Sequence, residues 1–581
     1  MAVEVCEQGT APFYYSTKGD TQNVALNHGI RLTGAMTKDD IARFCSEHDV
    51  KCIVNAAHPF AGNLHKAIAE AGIPVIRVET RQMASEPADG VVWADDFADA
   101  VNKLLQDRPA RLLALTGVNS IASLRDYWQN GHDTIFRILH REDSLRKASE
   151  AGFPPDKLVF YNESCTLPSV DEELHLMQQV GCDAIITKQS GEAGGFSAKV
   201  EAARALGIKV YAVKPPTLPS EWIVVTGRHT LRRELERIVP AFFPLVTGLT
   251  TGVCATAAAK AALLTLVSPS FRSTPAAGES VTVTIPDGEE VVVPVSFKSR
   301  GVAAVVKDFS SDPDVTRGCC IVARVALRPA SSPSAPVVRF LQGRGVGRVT
   351  LPGLGIPVGE PAINPTPRRM MEKELRALTN DDVDVTIEVE HGEEIALHTF
   401  NPRLGVVGGI SIIGTSGIVR PMSHEAAVES IGRELQVVRQ TGQKTIALAM
   451  GRAGEEFLQS VRPELKVVLC GNFIGDTLQR AHSLGFREAV MALGIGKAVK
   501  LAEGHLDTHS HKVAINKNFI AEVAMETCGA DAATAVQHIT MARELWSSML
   551  PAFFERIRQL CVAHCSDAFP EGNVEILLIK E

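Results

Sequence analysis

Across the first 240 residues, short apolar runs alternate with amphipathic stretches, and this rhythm leaves few folds open. "KCIVNAA" (51–57) reads as a strand, "LHKAIAEAG" as a helix and "IPVIRVE" as the next strand. "ARLLALTG" (110–117) and "CDAIITKQSG" (182–191) are further strands that run into glycine. "FSAKVEAARALG" is a helix closed by Gly207, and "IKVYAVKPP" is a strand stopped by prolines. Strand–helix–strand repetition through short glycine-bearing loops predicts a doubly wound parallel sheet. Ligands in such sheets bind at the carboxyl ends of the strands. "AAHPFA", "LTG" and "TKQSGEAGG" fall at those ends.

The rhythm then breaks. "RELERIVPAFFPLVTGLTTGVC" closes a helix, passes two prolines and starts again, which places a domain boundary at 242/243. "VTVTIPDGEEVVVPV" (281–295) alternates around Asp287-Gly288, a hairpin signal. "AAVVKDFSSDPDVTRG" and "CCIVARVALRP" extend the strand-rich region. The α/β pattern returns in "KTIALAMG", "LKVVLCGNFIGDTLQRAHSLG" and "FREAVMALGIGKAVKLAEG". The expected fold class is α/β, with a doubly wound parallel sheet over 1–242. An α+β region follows over about 243–435, and a smaller Rossmann-like α/β section over about 436–581.

Bulk properties narrow the partners. At 581 residues the chain is too long for one domain. A net charge of −8 and a pI near 6.1 favour no polyanion, so nucleic acid is not expected. No apolar run reaches the roughly 18 residues a membrane helix needs. The start lacks a signal-peptide pattern, and a cytoplasmic location is expected. The twelve cysteines form no CxxC pair, which indicates reduced thiols rather than a zinc ribbon or a disulfide framework.

Four stretches look built to hold something. "KQSGEAGG" (188–195) precedes a helix and carries Lys188, so its backbone N–H groups suit a phosphate or carboxylate; a plain strand-to-helix loop is the alternative. No GxGxxG fingerprint and no Walker loop occurs. In "GISIIGTSGIVRPMS" (409–423), Gly414–Gly417 offer amides and two hydroxyls, Arg420 offers a fork for a carboxylate, and Ser423 caps the next helix; a structural turn is the alternative. "EGHLDTHSHK" (503–512) holds His505 and His509 four apart, but poor helix formers lie between them and no third ligand follows at a familiar spacing. A polar ligand-binding loop is expected there, without a metal; structural histidines are the alternative. His58 in "NAAHPFAG" sits at a strand end, as a ligand contact or proton donor, or as a hydrogen-bonded core histidine.

Together these pieces resemble two families. Residues 1–240 resemble the precorrin-6A/cobalt-precorrin-6A reductase family through "NAAHPFA", "AGIPVIRVE", "LLALTG" and "IITKQSGEAGGFSAKVEAARALGIKVYAVKPP". Residues 245–581 resemble the cobalt-precorrin-5B C1-methyltransferase family through "GLTTGVCATAAAKAA", "VVKDFSSDPDVT", "GRGVGRVTLPGLGIPVGEPAINPTPR", "GGISIIGTSGIVRPMS", "GNFIGDTLQRAHSLGF" and "GKAVKLAEGHLDTHS". The resemblance implies S-adenosylmethionine-dependent methylation of a cobalt tetrapyrrole, then NADPH-dependent reduction of the product. Two consecutive steps on one chain raise the local concentration of the intermediate. Transient contact with neighbouring cobalamin-pathway enzymes and a homo-oligomer stay open; no membrane partner is implied.

The resemblance also assigns sites. Arg344, Arg348, Arg368 and Arg420 become candidates for the ring's carboxylates, with Asn364 as an orienting amide and Gly414, Thr415, Ser416 and Gly417 beside them. Thr250, Thr251 and Gly252 open an alanine-rich helix whose N-terminus suits another anion. Donor binding is expected near Gly451, Gly471, Asn472 and Gly494, with His505, Thr508, His509 and Ser510 lining the same cleft. In the reductase part, Lys188, Ser190, Gly191, Gly194 and Gly195 would hold cofactor phosphates or substrate carboxylates, Thr116 and Gly117 mark another strand end, and His58 is the catalytic candidate. The sequence departs from the family at its start, which lies inside the first helix, so a parallel sheet with two unpaired edges is expected. Asn55 stands where an aspartate is common. The runner-up reading is a methyltransferase whose N-terminal domain only binds tetrapyrrole.

Overall fold

Parallel pairing dominates the first unit. The computed structural model describes residues 1–19, 24–79, 90–161, 169–190, 194–268, 279–308, 310–311, 314–330, 337–421, 424–509 and 512–580. The chain divides into Met1–Pro244 and Leu245–Glu581. In the first, a six-stranded sheet runs in the order Val91–Ala94, Lys209–Val213, Ala184–Lys188, Leu112–Ala114, Thr134–Ile138, Leu158–Phe160, every pair parallel. Helices cover both faces, so the central strands are apolar on both sides: Ile186 and Tyr211 belong to one core, Ile185 and Val210 to the other. This is the doubly wound sheet that the alternation predicts.

The unit holds two more parallel sheets. Ile223–Val225, Val75–Val78 and Ile53–Asn55 form one of three strands; Tyr14–Thr17 and Ile30–Thr33 form one of two. Among the described residues no strand joins them, and Ile53–Asn55 is left as an edge.

In the second unit, helix Thr251–Val267 lies against a five-stranded sheet ordered Ser296–Ser299, Val302–Val306, Cys320–Arg328, Asp382–Val389, Val338–Leu341. Its pairs are antiparallel except the last. The alanines of this helix, with Ala303 and Ala323 on the strands, are fully buried; small side chains let helix and sheet approach closely. Strands Ser280–Thr284 and Glu290–Pro294 form the expected hairpin about Asp287-Gly288. A four-stranded parallel sheet follows, ordered Val467–Leu469, Thr445–Ala449, Glu488–Gly494, Asn573–Ile579, with its own core. No helix among the described residues is long and apolar enough to cross a membrane.

Candidate functional site

At the end of strand Ile53–Asn55, a buried polar network shapes the "AAHPF" loop. Asn55 is 3% exposed, and its Oδ1 accepts from the Ala57 N–H at 3.1 Å and from Arg77 Nη1 at 3.2 Å. Its Nδ2 faces His65 Nδ1 at 3.1 Å. With Oδ1 occupied by two donors, Nδ2 is the donor here; His65 Nδ1 accepts, and Nε2–H donates to the Pro59 carbonyl at 3.2 Å. Arg77 also donates to the Ala57 carbonyl at 2.6 Å. Burial, then the Arg77 charge, holds the His65 pKa below its ordinary value. His58 is treated similarly. The Phe60 N–H donates to its Nδ1 at 3.2 Å, and burial, then the Lys188 and Arg77 charges, lowers its pKa. The neutral ring therefore carries its proton on Nε2. Its Nε2–H can donate a hydrogen bond, and the ring is a poor proton source near neutral pH.

Asn55→Asp is expected to reverse this logic. The new carboxylate cannot donate, so His65 Nδ1 takes a proton and its pKa moves above the ordinary value of about 6.5. In the present chain, with the folded pKa depressed, the His65 contribution to stability is full above that value and declines as pH falls toward the folded pKa. In the variant it is full below that value and lost as pH rises through the folded pKa. An NMR titration of the ring, with melting curves between pH 5 and 8, checks the sign; parallel profiles for the two proteins would exclude it.

Lys188 ends the central strand of the large sheet. Its amine lies 5.3 Å from the Phe60 ring and 5.7 Å from the Phe97 ring, and burial pushes its pKa down. Ser190 packs so closely on Gly194 that a Cβ there would meet its hydroxyl at 1.9 Å. Gly195 starts helix Phe196–Ala205 with φ 65° and no side-chain cap. Lys199, 4% exposed, donates to the Gly194 carbonyl at 2.7 Å. Lys188 and Lys199 thus flank the glycine loop; Lys199 escaped the sequence reading. Gly191 lies outside the described residues. Just past the neighbouring strand Leu112–Ala114, Thr116 is buried with its hydroxyl 2.5 Å from Ser120 Oγ, and Gly117 turns the chain with φ 78°.

In the second unit, the stretch from Gly409 to Pro421 packs across the start of helix Thr251–Val267. The Thr250 N–H donates to the Gly417 carbonyl at 3.0 Å, and the Gly252 N–H to the Ile413 carbonyl at 2.9 Å. Thr251 Oγ1 accepts from the Ile413 N–H at 2.9 Å, and the Thr250 hydroxyl caps Val253. Thr250, Thr251 and Gly252 are buried, and the Gly252 and Val253 N–H groups already have partners within the protein. This corrects the expectation that they receive an anion. A Cβ on Gly414 would lie 2.2 Å from Thr250 Oγ1, and one on Gly417 2.8 Å from Ile285 Cγ2, so these glycines serve packing. The Ser416 hydroxyl donates to the Ile418 carbonyl at 2.9 Å, and Thr415 Oγ1 lies 3.3 Å from Glu429. Arg368 Nε donates to the Ile363 carbonyl at 2.8 Å and Nη2 to the Pro361 carbonyl at 3.1 Å, which fixes it as a structural residue rather than a free fork. Arg344, Arg348 and Arg420 are exposed. Asn364, half-buried, precedes helix Pro365–Arg376 without capping it by its side chain.

The parallel sheet of this unit aligns three of the candidate glycines. Ala449 is in register with Leu469 and with Ala492. Two residues further on each strand come Gly451, Gly471 and Gly494. Helices Arg452–Val461, Ile474–Ser483 and Ile495–Ala502 start at this edge, none with a side-chain cap. Their leading N–H groups therefore lie along one carboxyl edge. The Thr508 N–H donates to the Asn472 carbonyl at 3.1 Å, which brings the loop of His505 and His509 over Asn472. His505 Nε2 lies 3.6 Å from Glu503, and the His509 N–H donates to Asp507 at 3.1 Å. His424 connects this edge to the preceding stretch. Its Nε2 lies 3.1 Å from Asp476 Oδ2, and its ring meets Phe473 edge-on at 4.9 Å. His424, four residues after Arg420, thus contacts the helix start that follows Gly471. Ser423 and Ser510 fall outside the described residues.

Comparison with known proteins gives the families. Residues 1–235 match the precorrin-6x reductase CbiJ/CobK family, and residues 241–421 match the CbiD family. The chain is 40% identical over 351 residues to the cobalt-precorrin-5B C(1)-methyltransferase of Prosthecochloris aestuarii, covering 57% of this chain and 93% of the relative. It is 43% identical over 303 residues to that of Burkholderia lata, covering 50% and 81%. Among solved structures, a cobalamin biosynthesis protein (cbiD) from Archaeoglobus fulgidus matches at 27% identity and TM-score 0.25, over 46% of this chain and 82% of that one. A CobK precorrin-6A reductase matches at 20% identity and TM-score 0.32, over 41% and 91%. The chain belongs to the cobalt-precorrin-5B C(1)-methyltransferase family through its second unit and joins to it, in one polypeptide, a domain of the precorrin-6x reductase family.

Proposed function

We propose that this chain carries out two consecutive steps of cobalamin biosynthesis: methylation of cobalt-precorrin-5B at C1 to give cobalt-precorrin-6A, then reduction of that product. The observation that carries the reading is the conjunction of a methyltransferase relative aligned over nearly its whole length with a precorrin-6x reductase match over residues 1–235. The donor and reductant are S-adenosylmethionine and NADPH, and the location is the cytoplasm.

The residues at hand suit both cofactors. Space is open above Gly451 and Gly471, where a Cβ would meet nothing within 4 Å, and uncapped helix starts lie beside it. The carboxylate and hydroxyls of S-adenosylmethionine suit the helix start after Gly451, with Asn472 and Thr508 orienting them. Lys188, Ser190 and Gly195 with the uncapped helix start suit the phosphates of NADPH. When bound, the two groups supply an electrophilic methyl and a hydride. Arg420 and Asn364 hold ring carboxylates, so that the acceptor carbon stays in line with the donor. His58 offers Nε2–H to the reductase substrate. Anaerobic mass spectrometry of cobalt-precorrin-5B with the full chain and S-adenosylmethionine, before and after NADPH, tests this. A methyl gain followed by a two-hydrogen gain is expected. Methylation alone would leave the N-terminal domain as a binding module, and no methylation of intact substrate would sink the reading.

A further inference from the structure

The two faces of the five-stranded sheet differ in kind. One packs on helix Thr251–Val267 through Ile321, Ala323, Val385 and Ile387. The other bears a cavity of about 590 Å³. Its floor includes Val302 and Val322, and its rim carries Lys298, Arg324, Arg344 and His391 with Glu388 and Glu390 between them. Arg324 Nε pairs with Glu388 at 3.1 Å, while Arg344 is 87% exposed and 3.5 Å from Glu393. Three permanent cations, Lys298, Arg324 and Arg344, thus face two carboxylates in the lining.

The backbone that carries Arg344 and His391 is tightly packed. A Cβ on Gly343 would lie 1.9 Å from the Ile387 carbonyl oxygen, one on Gly345 2.0 Å from that of Val389, and one on Gly392 2.1 Å from that of Gly345. The "GRG" segment and the end of strand Asp382–Val389 thus touch backbone to backbone. Arg344 and His391, beside that contact, both line the cavity. His391 has φ 57°, a left-handed conformation that a non-glycine residue adopts only under strain. Gly345 pairs with Gly409, so the rim is continuous with the stretch that leads to Arg420.

An apolar floor ringed by cations matches a flat ring with carboxylates at its edge. We propose that this cavity docks the tetrapyrrole, with one ring face on the valines and edge carboxylates on Lys298, Arg324, Arg344 and His391. The assignment rests on the functional reading above and adds to it the binding surface and the recognised chemistry, a planar polycarboxylate.

The test uses the full chain and a stable probe, a corrin heptacarboxylic acid, against the same corrin with every carboxylate amidated. Equilibrium binding is followed by absorbance at low and high salt. The acid is expected to bind at least tenfold more tightly than the amide, with the difference shrinking as salt rises. Arg324→Glu with Arg344→Glu is expected to weaken the acid about tenfold or more and to raise the KM for cobalt-precorrin-5B but not for S-adenosylmethionine. Arg376→Glu, on the exposed end of another helix, controls for general charge and leaves affinity unchanged. His391→Gly relieves the strained backbone and removes an imidazole hydrogen-bond donor, so affinity falls about threefold while melting temperature does not fall. Unchanged binding and KM in the double variant, with the wild type methylating normally, would overturn the docking site and leave the functional reading intact. Lost probe binding in that variant, with a wild type that never consumes S-adenosylmethionine, would retain the cavity and reject the reading.

Discussion

Arg403→Ala is expected to destabilise the second unit by about 3 kcal/mol, the loss typical of a buried ion pair stripped of one partner. Arg403 Nε lies 2.7 Å from Glu434 Oε1, Nη1 contacts Glu455, and Nη2 donates to the Val467 carbonyl at 2.6 Å. One guanidinium thus ties a loop of the α+β part to helix His424–Gln440, helix Arg452–Val461 and the edge strand of the parallel sheet. Glu434 is 8% exposed, and burial raises its pKa although Arg403 pulls the other way. Without Arg403 that carboxylate is buried and unpaired, and its pKa rises further. A folded-state pKa raised above the unfolded value means stability that is present at low pH and lost as pH rises through the folded pKa. The deficit is therefore expected to be larger at pH 7 than at pH 5. Denaturant unfolding of the second unit at both values measures it, and Arg403→Lys, which keeps a charge but not the fork, is expected to fall between. A variant as stable as the parent at pH 7 would show that the cluster contributes nothing net.

Gly345→Ala is the second large effect, expected to cost about 2–4 kcal/mol. Two causes add. Gly345 has φ 72°, where an alanine costs roughly 1 kcal/mol. Its Cβ would also lie 2.0 Å from the Val389 carbonyl oxygen and 3.2 Å from Gly392 Cα. Both neighbours are backbone and cannot swing aside, so strands must separate, which typically costs 1–3 kcal/mol. Gly442→Ala separates the causes, because Gly442 has φ 88° and nothing within 4 Å of its Cβ position. It is expected to lose only about 1 kcal/mol. Calorimetry on both variants checks the difference. Equal losses would mean that the collision relaxes at no cost.

The "GRGVG" run shows how a motif can be legible and still be misread. Its arginines were read as carboxylate candidates, and its glycines were given no role. Gly343, Gly345 and Gly347 are there because three chain segments touch at that point. Arg344 is exposed beside them, but Arg368, equally arginine and equally near a proline-rich motif, faces inward onto carbonyls. Nothing in the local spacing distinguishes the two. Lys199 and Arg77 were missed for a related reason. Each is a single charge inside an otherwise ordinary helix or strand, and its meaning lies in Gly194 or Asn55 across the turn. An arginine in the middle of "IPVIRVE" was the one available signal.

Periodicity by itself determined the parallel sheet of the first unit, the Asp287-Gly288 hairpin and the return of α/β order near the end, because burial repeats every 2 or 3.6 residues wherever an element faces a core. The level at which strands align and the pairs that form across elements were decided only by the tertiary structure. Register set Gly451, Gly471 and Gly494 on one edge, and packing brought His424 to Asp476 across 52 positions. Such contacts depend on which elements stack, a choice made by the summed packing of the whole unit and not by any short stretch of it.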